Sequence, residues 1–129
     1  MIPLCVKEGI GIIPWSPLAR GLLARPRPAA QAAPTTRANS DVQAKDMYTD
    51  NVDWEIVDTV QRIAAARGVT GAQVALAWLL SKPAVTAPII GATKLTQLED
   101  AIGAIDVSLS VDEIAALEKP YTPHGVLGH

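Results

Sequence analysis

The stretch Gly11-Ile12-Ile13-Pro14-Trp15-Ser16-Pro17-Leu18-Ala19-Arg20-Gly21 runs a short apolar strand directly into a turn rich in Pro, Ser and Gly. Proteins of the α/β class place their ligand sites where strands end in such turns. A second unit of the same kind, Ala87-Pro88-Ile89-Ile90-Gly91-Ala92-Thr93-Lys94, lies further along and opens a helix. Two such mouths facing one ligand suggest a nucleotide cofactor site.

Working outward, Pro3 to Glu8 reads as the last turns of a helix, with Gly9 as its left-handed stop. Ile10 to Trp15 then reads as a buried, nearly all-apolar strand, the pattern of a parallel sheet. From Leu22 to Asn51 the composition shifts to Ala, Pro, Thr, Arg and Asp. Pro26, Pro28 and Pro34 break any helix there, which marks a long loop. Asp53 can cap a helix carrying Ile56, Val57, Val60, Ile63 and Ala64 at spacings of three and four, ending at Arg67-Gly68. Thr70 and Gln73 form a capping box for a helix with Val74, Ala77, Trp78 and Ser81 on one face, stopped by Pro83.

Val85 to Ile90 reads as the second buried strand. Thr96 and Glu99 read as a further box, with Leu95, Leu98, Ile102 and Ile105 on one helical stripe. Ser110 and Glu113 repeat the signal before Ile114 and Leu117, and Pro120 to His129 reads as an irregular tail.

Length and charge bound the function. The 129 residues suit one domain, and an apolar share of 49% is enough for a core. Eleven basic against thirteen acidic side chains leave a net charge of −2, which excludes broad attraction to nucleic acid or anionic membrane and makes any anion site local. Cys5 has no partner for an internal disulfide. The first residues, interrupted by Pro3 and Lys7, make no secretory leader, and no run is long and apolar enough to span a membrane. The expectation is a soluble cytoplasmic protein. Two strands with four helical segments do not close a parallel sheet, whose strands are normally covered on both faces and paired on both edges. Loss of preceding βα units is the expected explanation.

Residues 13–21, Ala72-Gln73-Val74-Ala75-Leu76-Ala77-Trp78-Leu79-Leu80, and Pro88 to Lys94 followed by Gln97-Leu98-Glu99-Asp100 together resemble the C-terminal third of the aldo-keto reductase family. The resemblance extends over nearly the whole chain. It implies a partial (β/α)8 TIM barrel: the last two strand-helix units, a C-terminal helix and a tail, with a long loop at about 22–51 and the site at the C-terminal strand ends. It further implies NADPH-dependent reduction of aldehydes or ketones, in which hydride passes from the nicotinamide and a tyrosine protonates the oxygen. The family's catalytic Asp, Tyr, Lys and His fall before the part matched here, so no catalytic residue is assigned, and neither Tyr48 nor Tyr121 is promoted to proton donor.

For NADP(H), the resemblance carries over Trp15, Ser16, Pro17, Leu18 and Arg20 around the nicotinamide and pyrophosphate. Gly91, Thr93, Lys94, Gln97 and Asp100 carry over around the adenosine, and Arg37 in a loop folding over the cofactor. Thr93 at a helix start and Lys94 suit a ribose 2′-phosphate, and Asp100 suits the adenine amino group. Expected partners are NADPH, a small carbonyl substrate, and a missing N-terminal half-barrel or a second copy. Two alternatives stand beside the reductase reading: a non-enzymatic cofactor-sensing module resembling potassium-channel β subunits, and a truncated product without independent function.

Simpler readings hold elsewhere. Arg25 and Arg27 read as solvated charges, Trp78 as core, and Cys5 as a small buried hydrophobe. Gly9-Ile10-Gly11 precedes its strand and lacks a third glycine, so it is no dinucleotide fingerprint. His124 and His129 have no cysteine or carboxylate cluster to support a metal site.

Overall fold

The computed structural model describes residues 1–27 and 51–123, without the side chains of residues 51–53. Its helices are α1 (Ile2–Lys7), α2 (Asn51–Arg67), α3 (Gly71–Leu80), α4 (Leu95–Gly103) and α5 (Val111–Glu118), with short 3₁₀ turns at Ala19–Gly21 and Ala104–Asp106. Most of the expected loop, residues 28–50, and the tail from residue 124 lie outside the described residues.

Two glycines end helices as their positions require. Beyond α1, Gly9 at φ +67° lets its own N–H reach the Val6 carbonyl and the Ile10 N–H reach Cys5. Beyond α2, Gly68 at φ +67° does the same through Ala65 and, via Val69, Ala64. Both are paired C-terminal closures that satisfy otherwise orphaned carbonyls. At the other end α2 begins at Asn51, so Asp53 lies inside it and is not its cap.

The core is helical. Val57, Val60, Ile63 and Ala64 of α2 are buried, at the spacing the sequence predicts. They meet α3, in which Ala72, Val74, Ala75, Leu76 and Ala77 are buried, while Leu117 of α5 and Ala104 close the packing. Trp78 packs against this core at its edge. Both expected boxes at Thr70/Gln73 and Ser110/Glu113 form, each with a side-chain oxygen accepting from the third residue's N–H and that residue's side chain reaching back.

Charge fastens α5. Arg67 holds Glu113 through two bonds of 2.6 Å, and the hydrogen bond from Arg67 is the main reason the Glu113 carboxyl is pushed down to about 2. Glu118 accepts from Trp78 Nε1 at 3.0 Å and pairs with Lys82, whose ammonium lies 4.7 Å above the Trp78 ring. Those contacts, Lys82 first, lower the Glu118 carboxyl as well.

The two expected strands differ most from expectation. They do run parallel and beside each other, but they pair at only two isolated bridges, Ile12 with Val85 and Trp15 with Ile89. The bonds are Ile12 N–H to the Ala84 carbonyl (3.0 Å), Thr86 N–H to Ile12 (2.8 Å) and Ile89 N–H to Pro14 (2.8 Å). Between the bridges one segment advances three residues and the other four, so the register slips by one. Pro14 and Pro88 supply no N–H, which removes ladder donors from both segments. Nor are the segments buried: Ile10, Ile13, Trp15, Ile89 and Ile90 are all exposed. Cys5 is likewise half-buried, not enclosed. The regular strands of a barrel are therefore absent among the described residues.

Candidate functional site

Because the two extended segments are parallel and bridged at Trp15 and Ile89, the turns that follow them emerge at the same end of the molecule. Turn one, from Ser16 to Gly21, is held from behind. The Leu23 side chain packs against the core and its carbonyl accepts from Gln61 Nε2 at 3.2 Å.

This turn carries unusual backbone geometry. Ser16 (φ 51°), Ala19 (φ 47°) and Arg20 (φ 55°) all lie in the left-handed region, followed by Gly21 at 97°. Non-glycine residues pay about 1–2 kcal/mol each to sit there. The turn closes through Ala19 N–H to Ser16 and Gly21 N–H to Leu18, both 2.9 Å. Sequence reasoning missed this strain, since Ser, Ala and Arg carry no signal for a left-handed backbone. Trp15, two-thirds exposed, opens the turn, and Ser16, Pro17, Leu18 and Arg20 are half-buried within it.

Turn two contains Gly91, Thr93 and Lys94, all exposed. Gly91 has no positive φ, and a Cβ added there would meet none of the described residues within 4 Å. Neither backbone conformation nor packing of the described residues therefore requires a glycine at this position. The helix start differs from expectation. It begins at Leu95 with Lys94 as cap, so Thr93 precedes the cap and Thr96 lies inside the helix, not at the head of a box with Glu99. A lysine side chain accepts no hydrogen bond, so Gln97 does the capping alone. Its Oε1 takes Thr93 N–H (2.9 Å), Thr93 Oγ1 (3.2 Å) and Lys94 N–H (3.2 Å).

Asp100 is engaged too, accepting from the Thr70 hydroxyl at the head of α3. The structure thus brings Trp15 to Arg20 and Gly91 to Gln97 to one end and ties Asp100 to α3. Arg37 and Tyr48 lie outside the described residues, as do His124 and His129, and Tyr121 is exposed beyond α5. Among the described residues no cluster of His, Cys, Asp and Glu could hold a metal ion, and no single helix is long and apolar enough to cross a membrane.

The profile of the aldo/keto reductase family matches residues 1–121. The chain belongs to the aldo/keto reductase family. Among similar proteins, versiconal hemiacetal acetate reductase of Aspergillus parasiticus is 39% identical over 132 residues, covering 98% of this chain and 36% of the relative. An aldo-keto reductase of Fusarium vanettenii is 43% identical over 133 residues, covering 100% of this chain and 34% of the relative. A thermostable aldo-keto reductase solved in complex with the inhibitor epalrestat superposes with a TM-score of 0.61 at 25% identity, over 93% of this chain and 33% of that one. This aldo/keto reductase chain thus spans about a third of the length of the relatives it matches.

Proposed function

We propose that this chain is the NADP(H)-binding part of an aldo/keto reductase barrel, built from its last two strand-helix units. Gly91 carries the reading: no described residue requires a glycine there, and the space that the described residues leave above its backbone suits the close approach of a ligand. The fit extends to the neighbouring residues. Lys94 is exposed and no described residue pairs with its ammonium, so it is available to a ribose 2′-phosphate. Ser16 and the turn N–H groups suit pyrophosphate oxygens, and the exposed Trp15 offers an apolar ring beside the nicotinamide. Arg20, Pro17 and Leu18 shape the same turn, and Arg37 closes over the cofactor in this reading. When bound, NADPH supplies the hydride for reduction of an aldehyde or ketone. This chain holds and orients it, while the proton donor comes from elsewhere. The reading includes a cytoplasmic setting, in which a free Cys5 thiol persists.

Calorimetric titration with NADPH and NADH tests it. Binding of NADPH is expected, and Lys94→Ala should weaken it about tenfold or more with a much smaller effect on NADH, since a hydrogen bond to a charged group contributes about 1.5–3 kcal/mol. The loss should shrink at high salt, because exposed charge contacts are screened. Equal losses for both cofactors would move the 2′-phosphate contact away from Lys94.

A further inference from the structure

Among the described residues, little joins the two turns of the site along the extended segments. The bridge of Trp15 with Ile89 places one bond near them, from Ile89 N–H to the Pro14 carbonyl. Apolar packing adds little at turn two. Its Lys94 caps α4, in which no residue is buried, and the α4 stripe of Leu95, Leu98 and Ile102 is exposed. The firmer connection runs behind the site, through the head of α3.

Thr70 and Gly71 are adjacent there and reach in two directions. Toward turn two, the Thr70 hydroxyl donates to Asp100. Asp100 lies one helical turn beyond Gln97, whose Oε1 holds the N–H groups of Thr93 and Lys94. Gln73 tightens the same approach: its Oε1 takes Thr70 N–H at 3.0 Å, and a Cβ at Gly103 of α4 would stand 2.6 Å from its Nε2. Toward turn one, the missing side chain of Gly71 leaves room for the Gln61 amide, which a Cβ at this position would strike. Gln61 Nε2 thereby reaches the Leu23 carbonyl at 3.2 Å, and Leu23 N–H bonds back to the Leu18 carbonyl inside the turn at 3.3 Å. A continuous set of contacts thus links Leu18 to Lys94 by way of Gln61, the α3 head and Asp100.

We propose that Thr70 and Gln61 are positioning residues for NADP(H). Neither touches the cofactor; acting through Asp100 and Leu23, they set the spacing between the two turns it spans. This rests on the NADP(H) reading and concerns the same site. A ligand held at both ends gains from the second contact only when the spacing matches its span, whereas each half of it binds without regard to that spacing. Loss of the brace should therefore weaken the whole cofactor more than its halves.

The test uses the full chain and three ligands: NADPH, adenosine 2′,5′-bisphosphate for turn two and reduced nicotinamide mononucleotide for turn one. Thr70→Val and Gln61→Met should each lower NADPH affinity about fivefold or more in calorimetric titration, while both halves, followed by NMR, change by less than about twofold. Thr70→Ser keeps the hydroxyl and should restore NADPH binding. Ser110→Ala removes the matching cap of α5, and should leave all three affinities unchanged. Spin labels on Leu22→Cys and Ala92→Cys, in a Cys5→Ser background, read the spacing without cofactor; their distance distribution should broaden in both variants. An NADPH affinity within about twofold of the unaltered chain, parallel losses for all three ligands, or a distribution as narrow as before overturns the proposal. A chain that binds none of the three overturns the NADP(H) reading instead, and the spin labels still decide whether Thr70 and Gln61 set the spacing.

Discussion

The Thr70 hydroxyl donates to both carboxylate oxygens of Asp100, at 2.9 and 3.0 Å, while its oxygen accepts from Gln73 N–H at 3.1 Å. One hydroxyl therefore caps α3 and anchors α4. It also gives Asp100 a reason to be acidic that does not involve a nucleotide.

Replacing Thr70 by Ala should cost about 1 kcal/mol from the lost cap alone. Denaturant titration of the chain measures it. If Asp100 serves only this contact, Asp100→Asn should leave the affinity for NADPH unchanged, and a tenfold loss would restore its adenine role.

Gly71 should resist substitution. A Cβ there would stand 2.7 Å from the Leu23 carbonyl, a backbone atom pinned by Gln61 and by packing of its own side chain. Gly71→Ala must displace that backbone, with an expected loss of about 1–3 kcal/mol by overpacking. It should also weaken cofactor binding, because Leu23 anchors the turn at Ser16 to Gly21. Unchanged melting would show that the α2–α3 junction is softer than its geometry implies.

Ala19 at φ 47° invites the opposite change. Ala19→Gly should relieve about 1 kcal/mol of backbone strain, less the entropy a glycine adds to the unfolded chain. The melting temperature should hold or rise while affinity for NADPH falls, as the turn loses its fixed shape. A rise in both would mean that the strain serves no binding purpose.

Acid should loosen α5. Glu113 titrates at about 2 in the folded chain against an ordinary 4.5, so the folded state prefers the ionised form. Its contribution is complete above about pH 4.5 and is lost as the pH falls toward 2, with Glu118 adding in the same direction. Glu113→Gln should flatten the pH dependence of unfolding in that window. Persistence of the full slope would assign it to other carboxylates.

Local rules carried most of the helical reading. The two boxes at Thr70 and Ser110, the glycine stops at Gly9 and Gly68, and the α2 face at Val57, Val60, Ile63 and Ala64 depend on residues within a few positions of one another, and all form. Where the local signal was ambiguous it failed by a residue or two, as at Asp53 and Thr96. Lys94 shows why: its side chain cannot accept, so the helix start there depends on Gln97 reaching back.

The sequence by itself determined the family, the two strand-to-turn units and the residue types that suit an anionic cofactor, because each is a pattern within a short span. Tertiary structure alone decided that Ile10, Ile13, Trp15, Ile89 and Ile90 are exposed and that their two segments barely pair, since burial depends on neighbours that no local pattern contains. It also decided the partner of Asp100, which lies thirty residues away along the chain, and the outward turn of the α4 stripe. An amphipathic pattern specifies that a face must be covered; only the packed molecule says whether anything is there to cover it.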